Sequence, residues 1–236
     1  MRILLTAMMF ATMILPQVAR AATEGTINGE IGLFLFETGT GSDNTGNSNI
    51  RAQLGDIITI DVYARNPNQV PVAGIEVYLT VDDRYFDIVP QGYNMEDDEF
   101  NGQPKPFIQG DYLKGSQGVV QRFGNNTFGD SLTAQDNTLD GWQLNYVEIT
   151  GTGGGGGRPV SRLPYGVIAS FQLRAKAVCQ SVPIKIDIDQ FYLRMTRYID
   201  PYASYTYYFK TTNTCNISVS GVRIDPPLPD FILAPG

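Results

Sequence analysis

The chain has 236 residues, of which 42% are hydrophobic, with 24 acidic side chains, 17 basic side chains and no histidine. This length suits one large β domain, and the hydrophobic content is high enough to fill a core. Without histidine the chain has no Ser-His-Asp or Cys-His nucleophile pair, no HExxH zinc site and no imidazole acid or base. A pair of carboxylates remains available, so the composition disfavours an enzyme without excluding one.

Residues 1–21 have the pattern of an export signal. Arg2 precedes an apolar run over residues 3–15, a proline ends that run, and residues 19–21 (Ala-Arg-Ala) have the small-x-small form of a cleavage site. The alternative is a buried N-terminal helix. We predict a cleaved signal peptide, and hence a secreted domain in the extracellular space or the periplasm.

The chain beyond the signal is acidic. Residues 1–21 contain two arginines and no acid, so the remaining 15 basic and 24 acidic side chains give a net charge of −9. Such a surface repels nucleic acid and anionic lipid. No later apolar run has the length of a membrane span. We expect one domain over 22–224 and a Pro-rich tail over 225–236, with no nucleic-acid partner and no membrane span.

Alternating strands separated by turn-rich loops run through the domain. Within 74–81 four apolar residues alternate with Glu76, Tyr78 and Thr80, so the apolar set points inward and these three point outward. The register of the Pro- and Gly-rich region 90–140 cannot be read. Because no helical period separates the strands, the pattern predicts an all-β antiparallel sandwich. The strand candidates are 29–36, 56–64, 74–81, 142–150, 166–177, 182–188 and 215–224.

Export favours a disulfide between Cys179 and Cys215, which are the only cysteines. The bond would close a loop of about 36 residues and stabilise the fold by roughly 3–4 kcal/mol in the chain-entropy model. The alternative is two separate buried thiols.

Five phrases of the sequence, in their order and spacing, resemble a cohesin domain, and 215–224 fits the closing strand of that family. The resemblance covers 29–224 and implies a jelly-roll-like β-sandwich of about nine strands, with no catalytic site and no cofactor. It also implies a flat sheet face that binds a protein partner such as a dockerin, whose own loops carry the calcium. The region 90–140, the tyrosine-rich segment 191–209 and the cysteines depart from the family pattern. The phrases are 55–62, 73–82, 85–89, 144–148 and 166–173.

The resemblance places Glu76, Tyr78 and Thr80 on the partner-binding face, and Glu148 resembles a second acidic contact of that face. A carboxylate there accepts hydrogen bonds from a partner, and partial desolvation strengthens them. The alternative is a solvated outer face. Glu148 shares the strand parity of Tyr146, so it faces outward only if a bulge intervenes.

The tyrosines of 191–209 support a rival interpretation. Exposed Tyr202, Tyr205 and Tyr207 would stack on sugar rings in a carbohydrate-binding module, which shares the sandwich architecture, with a polysaccharide as ligand. Alternatively, every second tyrosine packs into the sandwich. A third hypothesis is a structural component of an extracellular assembly. The acidic cluster 96–99 lacks the spacing of a calcium loop, so we predict no metal site.

Overall fold

The computed structural model describes residues 27–43, 45–92, 104–113, 121–129, 141–150, 160–189, 194–201 and 206–221. The predicted export signal, the acidic cluster 96–99, the Pro-rich tail, Tyr202 and Tyr205 lie outside these ranges. In the described part of the chain, no helix is long and apolar enough to cross a membrane.

All regular elements of the described ranges are β-strands. Several are only two or three residues long, which is why the seventeen segments outnumber the nine or so strands predicted. In chain order they are β1 (Ile27–Asn28), β2 (Gly32–Glu37), β3 (Asn49–Gln53), β4 (Ile57–Arg65), β5 (Gly74–Val81), β6 (Phe86–Val89), β7 (Phe107–Gln109), β8 (Gln121–Gly129), β9 (Trp142–Thr150), β10 (Tyr165–Ala175), β11 (Cys179–Ile186), β12 (Ile188–Asp189), β13 (Arg194–Met195), β14 (Arg197–Ile199), β15 (Thr206–Tyr208), β16 (Thr211–Thr212) and β17 (Thr214–Ser220).

Two sheets enclose the core, as the predicted sandwich requires. The front sheet has the order β1-β15-β14-β5-β11-β17-β3, with β9 also paired to β5 and β8 paired to β9. The back sheet has the order β16-β2-β4-β10-β6, with β7 also paired to β10. Pairing is antiparallel except for the parallel pairs β1–β15, β16–β2 and β17–β3. The all-β, jelly-roll-like architecture is therefore confirmed.

Strand β5 lies at the centre of the front sheet and alternates as predicted. Its four inward apolar side chains are at most 3% exposed and pack in the core between the sheets. Burying a side chain of this size contributes about 1.5–3 kcal/mol. Glu76, Tyr78 and Thr80 are half-buried on the other face. The inward residues of β5 are Ile75, Val77, Leu79 and Val81.

Part of the outer face of the back sheet is covered by the loop segments 37–43 and 45–48. Phe36 and Tyr63 lie under this loop and are each only 4% exposed. A Cβ atom at Gly46 would come within 2.4 Å of the Phe36 ring, so only glycine lets the loop approach so closely. Asp61 anchors the loop by accepting a hydrogen bond from the Thr38 hydroxyl at 2.5 Å. The loop therefore removes these aromatic side chains from contact with any partner.

The two cysteines lie on neighbouring strands but not opposite each other. Cys179 on β11 pairs with Val219, whereas Cys215 on β17 pairs with Ile184. Val219 lies four positions after Cys215, which corresponds to about 13 Å along a strand. A disulfide needs Cα atoms within about 7 Å of each other. Both cysteines are free, buried thiols, so the predicted disulfide is wrong and the alternative interpretation is correct.

We expect a thiol titration with Ellman's reagent, in denaturant and without reductant, to find two thiols per chain. In the native protein Cys215 should react slowly, because burial raises its pKa to about 12 and leaves little thiolate near pH 8. A Cys179→Ala variant serves as the control and should give one thiol. Finding no thiols in the unreduced, denatured chain would contradict the register of β11 and β17.

Candidate functional site

The candidate site is the outer face of the front sheet around β5. Residues that face each other across neighbouring strands lie on the same side of a sheet. Glu76 is opposite Val147 of β9 on one edge and Arg197 of β14 on the other, and Arg197 is in turn opposite Tyr208 of β15. These four side chains therefore form a row across the face, and Tyr78 and Thr80 follow Glu76 along β5.

A hydrogen-bonded network fixes the polar side chains of this face. The Nε atom of Arg197 is 2.5 Å from Oε2 of Glu76, and the Tyr78 hydroxyl donates to Oε1 of the same carboxylate at 3.0 Å. Burial, together with the nearby charge of Glu76, raises the pKa of Tyr78, so its hydroxyl remains a neutral donor. Further along, the Thr80 hydroxyl donates to Oδ2 of Asp187 at 2.6 Å.

A shallow apolar depression of about 180 Å³ lies beside this network. Gly74 forms its floor, since a Cβ atom at this position would come within 2.9 Å of Ile199. Ile149 of β9 and Ile199 of β14 lie opposite Gly74 on its two edges and, with Val147, form the apolar walls. The Glu76–Arg197 ion pair closes the remaining side.

The pairing on one edge of β5 is interrupted next to Tyr78. Strand β11 ends at Ile186 and β14 begins at Arg197, yet both pair with the same edge of β5, and the short β12–β13 hairpin lies between them in sequence. Thr196 bridges the gap between these two pairings, because its hydroxyl accepts a hydrogen bond from the Tyr78 amide at 2.9 Å. The Asp187 amide donates to the Tyr78 carbonyl at 2.8 Å. The strand pairing on this edge of β5 is therefore interrupted beside Tyr78 and bridged there by Thr196 and Asp187.

Glu148 lies on the opposite, inner side of β9. It is fully buried and pairs with Ile75 of β5. Its carboxylate accepts hydrogen bonds from the Tyr146 hydroxyl at 2.9 Å and from the side-chain amide of Gln109, which belongs to β7 of the back sheet. The bulge in this region is in β8, and the register of β9 with β5 is unbroken. The prediction that Glu148 contacts a partner is therefore wrong, because this carboxylate connects the two sheets.

The tyrosine segment also points partly inward. Tyr207 stacks on Tyr198 with ring centroids 5.3 Å apart, and it packs against the hydrophobic core. Tyr207 is therefore not the exposed sugar platform that the rival interpretation predicts. Tyr208, the next residue, is half-buried on the outer face beside Arg197.

Sequence reasoning missed the apolar half of the site. Val147 and Ile149 have the outward parity of β9, so apolar residues at those positions were a signal that the face is not simply solvated. Arg197 and Ile199 gave no such signal, because their place beside β5 results from a pairing between distant parts of the chain. Among the described residues, no group of three metal-binding side chains occurs.

No family model and no curated protein matches this chain. Solved structures match it in fold. A type II cohesin A11 from Bacteroides cellulosolvens aligns with a TM-score of 0.50 and 11% identity, over 80% of this chain and 99% of the other. The fold of this chain is therefore cohesin-like.

Two further cohesin structures give similar alignments. A type II cohesin domain from the cellulosome of Acetivibrio cellulolyticus has a TM-score of 0.49 and 13% identity, over 79% of this chain and 94% of that one. A type I cohesin–dockerin complex from Clostridium thermocellum, Coh-OlpA-Doc918, has a TM-score of 0.47 and 14% identity, over 81% of this chain and 100% of the matched one.

We expect Glu148→Ala to lower the free energy of unfolding by about 2–4 kcal/mol, because it removes the acceptor of a buried hydrogen bond from Tyr146 and a partly buried one from Gln109. Glu76→Ala is the matched control on the other face of the sheet. It loses only a partly exposed ion pair and a neighbouring hydrogen bond, so we expect a change of about 1 kcal/mol. Urea unfolding of the two variants measures this difference. Equal midpoints would show that Glu148 does not join the sheets.

Proposed function

We propose that this chain is a secreted, non-catalytic module that binds a protein through the outer face of its front sheet, as a cohesin binds a dockerin. The observation that carries the proposal is the pairing, on one face of β5, of a fixed polar network with an apolar depression. The cohesin-like fold and the cohesin-like phrases along the sequence support it. The division into a signal peptide over 1–21, a domain over 22–224 and a tail over 225–236 belongs to the same proposal.

The face has the composition of a protein-binding surface. Such interfaces combine an apolar centre with polar groups at the rim, and tyrosine and arginine are frequent anchors in them. Here Tyr78 and Arg197 both contact Glu76, so the three side chains are held in one arrangement before a partner arrives. This preorganisation reduces the entropy that binding must remove from long side chains.

The two acids predicted for the site cannot act together on a substrate. Glycoside hydrolysis needs two carboxyl groups on either side of one bond. Glu76 and Glu148 lie on opposite faces of the same sheet, and Glu148 is fully buried. This geometry supports a binding function over a hydrolytic one.

The rival functions have less support. A carbohydrate-binding module would present Tyr207 to its ligand, but the ring of Tyr207 packs inward on Tyr198. A purely structural role in an extracellular assembly would not require the depression or the preorganised network. We therefore favour a protein partner over a polysaccharide.

We expect Tyr78→Ala to weaken binding of the partner by about 2 kcal/mol, as truncation of an aromatic anchor does. Glu76→Ala should cost about 1–3 kcal/mol, because its carboxylate would be paired and desolvated in the complex. The partner is first captured from the native secretome on the immobilised domain, then identified, purified and titrated calorimetrically against each variant.

Asp87→Ala is the control for these titrations. Asp87 forms an exposed ion pair with Lys176 on the back sheet, so its loss should change neither affinity nor melting temperature. Unchanged affinity in both Tyr78→Ala and Glu76→Ala would place the binding site elsewhere. Retention of the wild-type domain on insoluble polysaccharides, tested by pull-down, would favour the carbohydrate function instead.

A further inference from the structure

The depression at Gly74 has the size and lining of a pocket for one side chain. Its volume is about 180 Å³, and its walls are the aliphatic side chains of Val147, Ile149 and Ile199. For comparison, a cavity of about 150 Å³ lined by aliphatic and aromatic side chains binds benzene. A leucine, isoleucine or methionine side chain therefore fits into it, and burying one there would contribute favourably through the hydrophobic effect.

The polar edge of the depression restricts what can lie beside that side chain. Arg197 binds Glu76 through Nε, and its terminal nitrogens form no hydrogen bond with any described residue. Its side chain is 36% exposed, so these nitrogens can donate to a carbonyl oxygen of a docked segment. The paired charges of Glu76 and Arg197 cancel locally, so the depression itself does not attract a charged side chain.

The net charge of the domain indicates the sign of the partner's net charge. Without the predicted signal over 1–21, the net charge is −9, which attracts a positively charged protein over distances beyond direct contact and repels an acidic one. Long-range attraction thus brings the partner to the surface, and the depression selects the side chain that docks.

We propose, on the basis of the function proposed above, that the Gly74 depression is the specificity pocket of the front sheet. Its occupant is one leucine, isoleucine or methionine side chain from a protein segment of net positive charge, with a main-chain carbonyl of that segment accepting from Arg197.

A fragment titration tests the pocket without any partner. Isobutanol carries the branched end of a leucine side chain and serves as the probe. In the wild-type domain with ¹³C-labelled methyl groups, isobutanol should shift the methyl signals of Val147, Ile149 and Ile199 in a saturable way. The same titration of Val147→Trp, whose larger ring fills the depression, should shift none of the remaining two. Absence of shifts in the wild-type domain would overturn the proposal.

A displayed library tests the selectivity. A library of a small helical scaffold with randomised surface positions is selected for binding to the wild-type domain. The affinities of the enriched clones for Val147→Trp and for Lys185→Trp are then measured. Lys185 is exposed on the same face but lies beside Thr80, away from the depression, so it controls for the added ring. We expect enriched clones to carry an aliphatic residue at one position and net positive charge, to lose at least tenfold affinity for Val147→Trp, and to bind Lys185→Trp normally.

The outcomes of this experiment distinguish a failure of the pocket proposal from a failure of the proposed binding function. Clones that weaken on Tyr78→Ala but bind Val147→Trp as tightly as the wild type would overturn the pocket and leave the binding face in place. Clones that bind every front-sheet variant as tightly as the wild type would overturn both the pocket proposal and the proposed binding face. Enrichment of acidic or aromatic clones would contradict the proposed occupant. Thermal melts of each variant, and a second pocket variant, Val147→Lys, guard against a loss of binding caused by unfolding.

Discussion

The pairing of β5 on both of its edges is the constraint on which the front sheet depends. Strand β9 runs along the whole of one edge, and β14 and β11 share the other, so the strand cannot shift without breaking three ladders. A shift of one residue would turn Leu79 and its apolar neighbours to solvent and bury Glu76. The same register that fills the core therefore holds Glu76, Tyr78 and Thr80 on the outer face, beside the side chains that β9 and β14 supply.

The buried carboxylate of Glu148 ties this register to the back sheet. It lies one position after Val147, so β9 carries a wall of the depression on one face and a connection between the sheets on the other. A buried carboxylate is costly unless hydrogen bonds satisfy it, and Tyr146 and Gln109 both donate to it. Their geometry fixes how β9 sits over β7, and thereby where Val147 meets Gly74.

Local alternation predicted most of what lies along single strands. It gave the inward and outward sides of β5, and its parity argument for Glu148 pointed to the inner face that the structure shows. Sequence could not predict features that depend on pairing between distant strands. The ladder of β11 and β17 sets the offset between Cys179 and Cys215, and no spacing in the sequence reveals it. The cohesin-like phrases fitted the fold, but the resemblance misled where it overrode the parity of Glu148.

The two outer faces of the sandwich differ in a way that bears on function. On the back sheet, the loop segments 37–43 and 45–48 cover Phe36 and Tyr63, and Asp61 anchors the loop by accepting a hydrogen bond from the Thr38 hydroxyl. Phe36 and Tyr63 are therefore already buried within the chain, whereas Ile57, Ile108 and Tyr165, elsewhere on the back-sheet strands, stay about half exposed. Around Gly74 the depression is open, and the nearby polar groups are already held in place. Association gains most where apolar surface is still accessible and polar groups need no rearrangement. The region between β9 and β14 combines both features, because its apolar depression adjoins the fixed Glu76–Arg197 pair, and this combination is the physical basis of the binding function proposed for the front face.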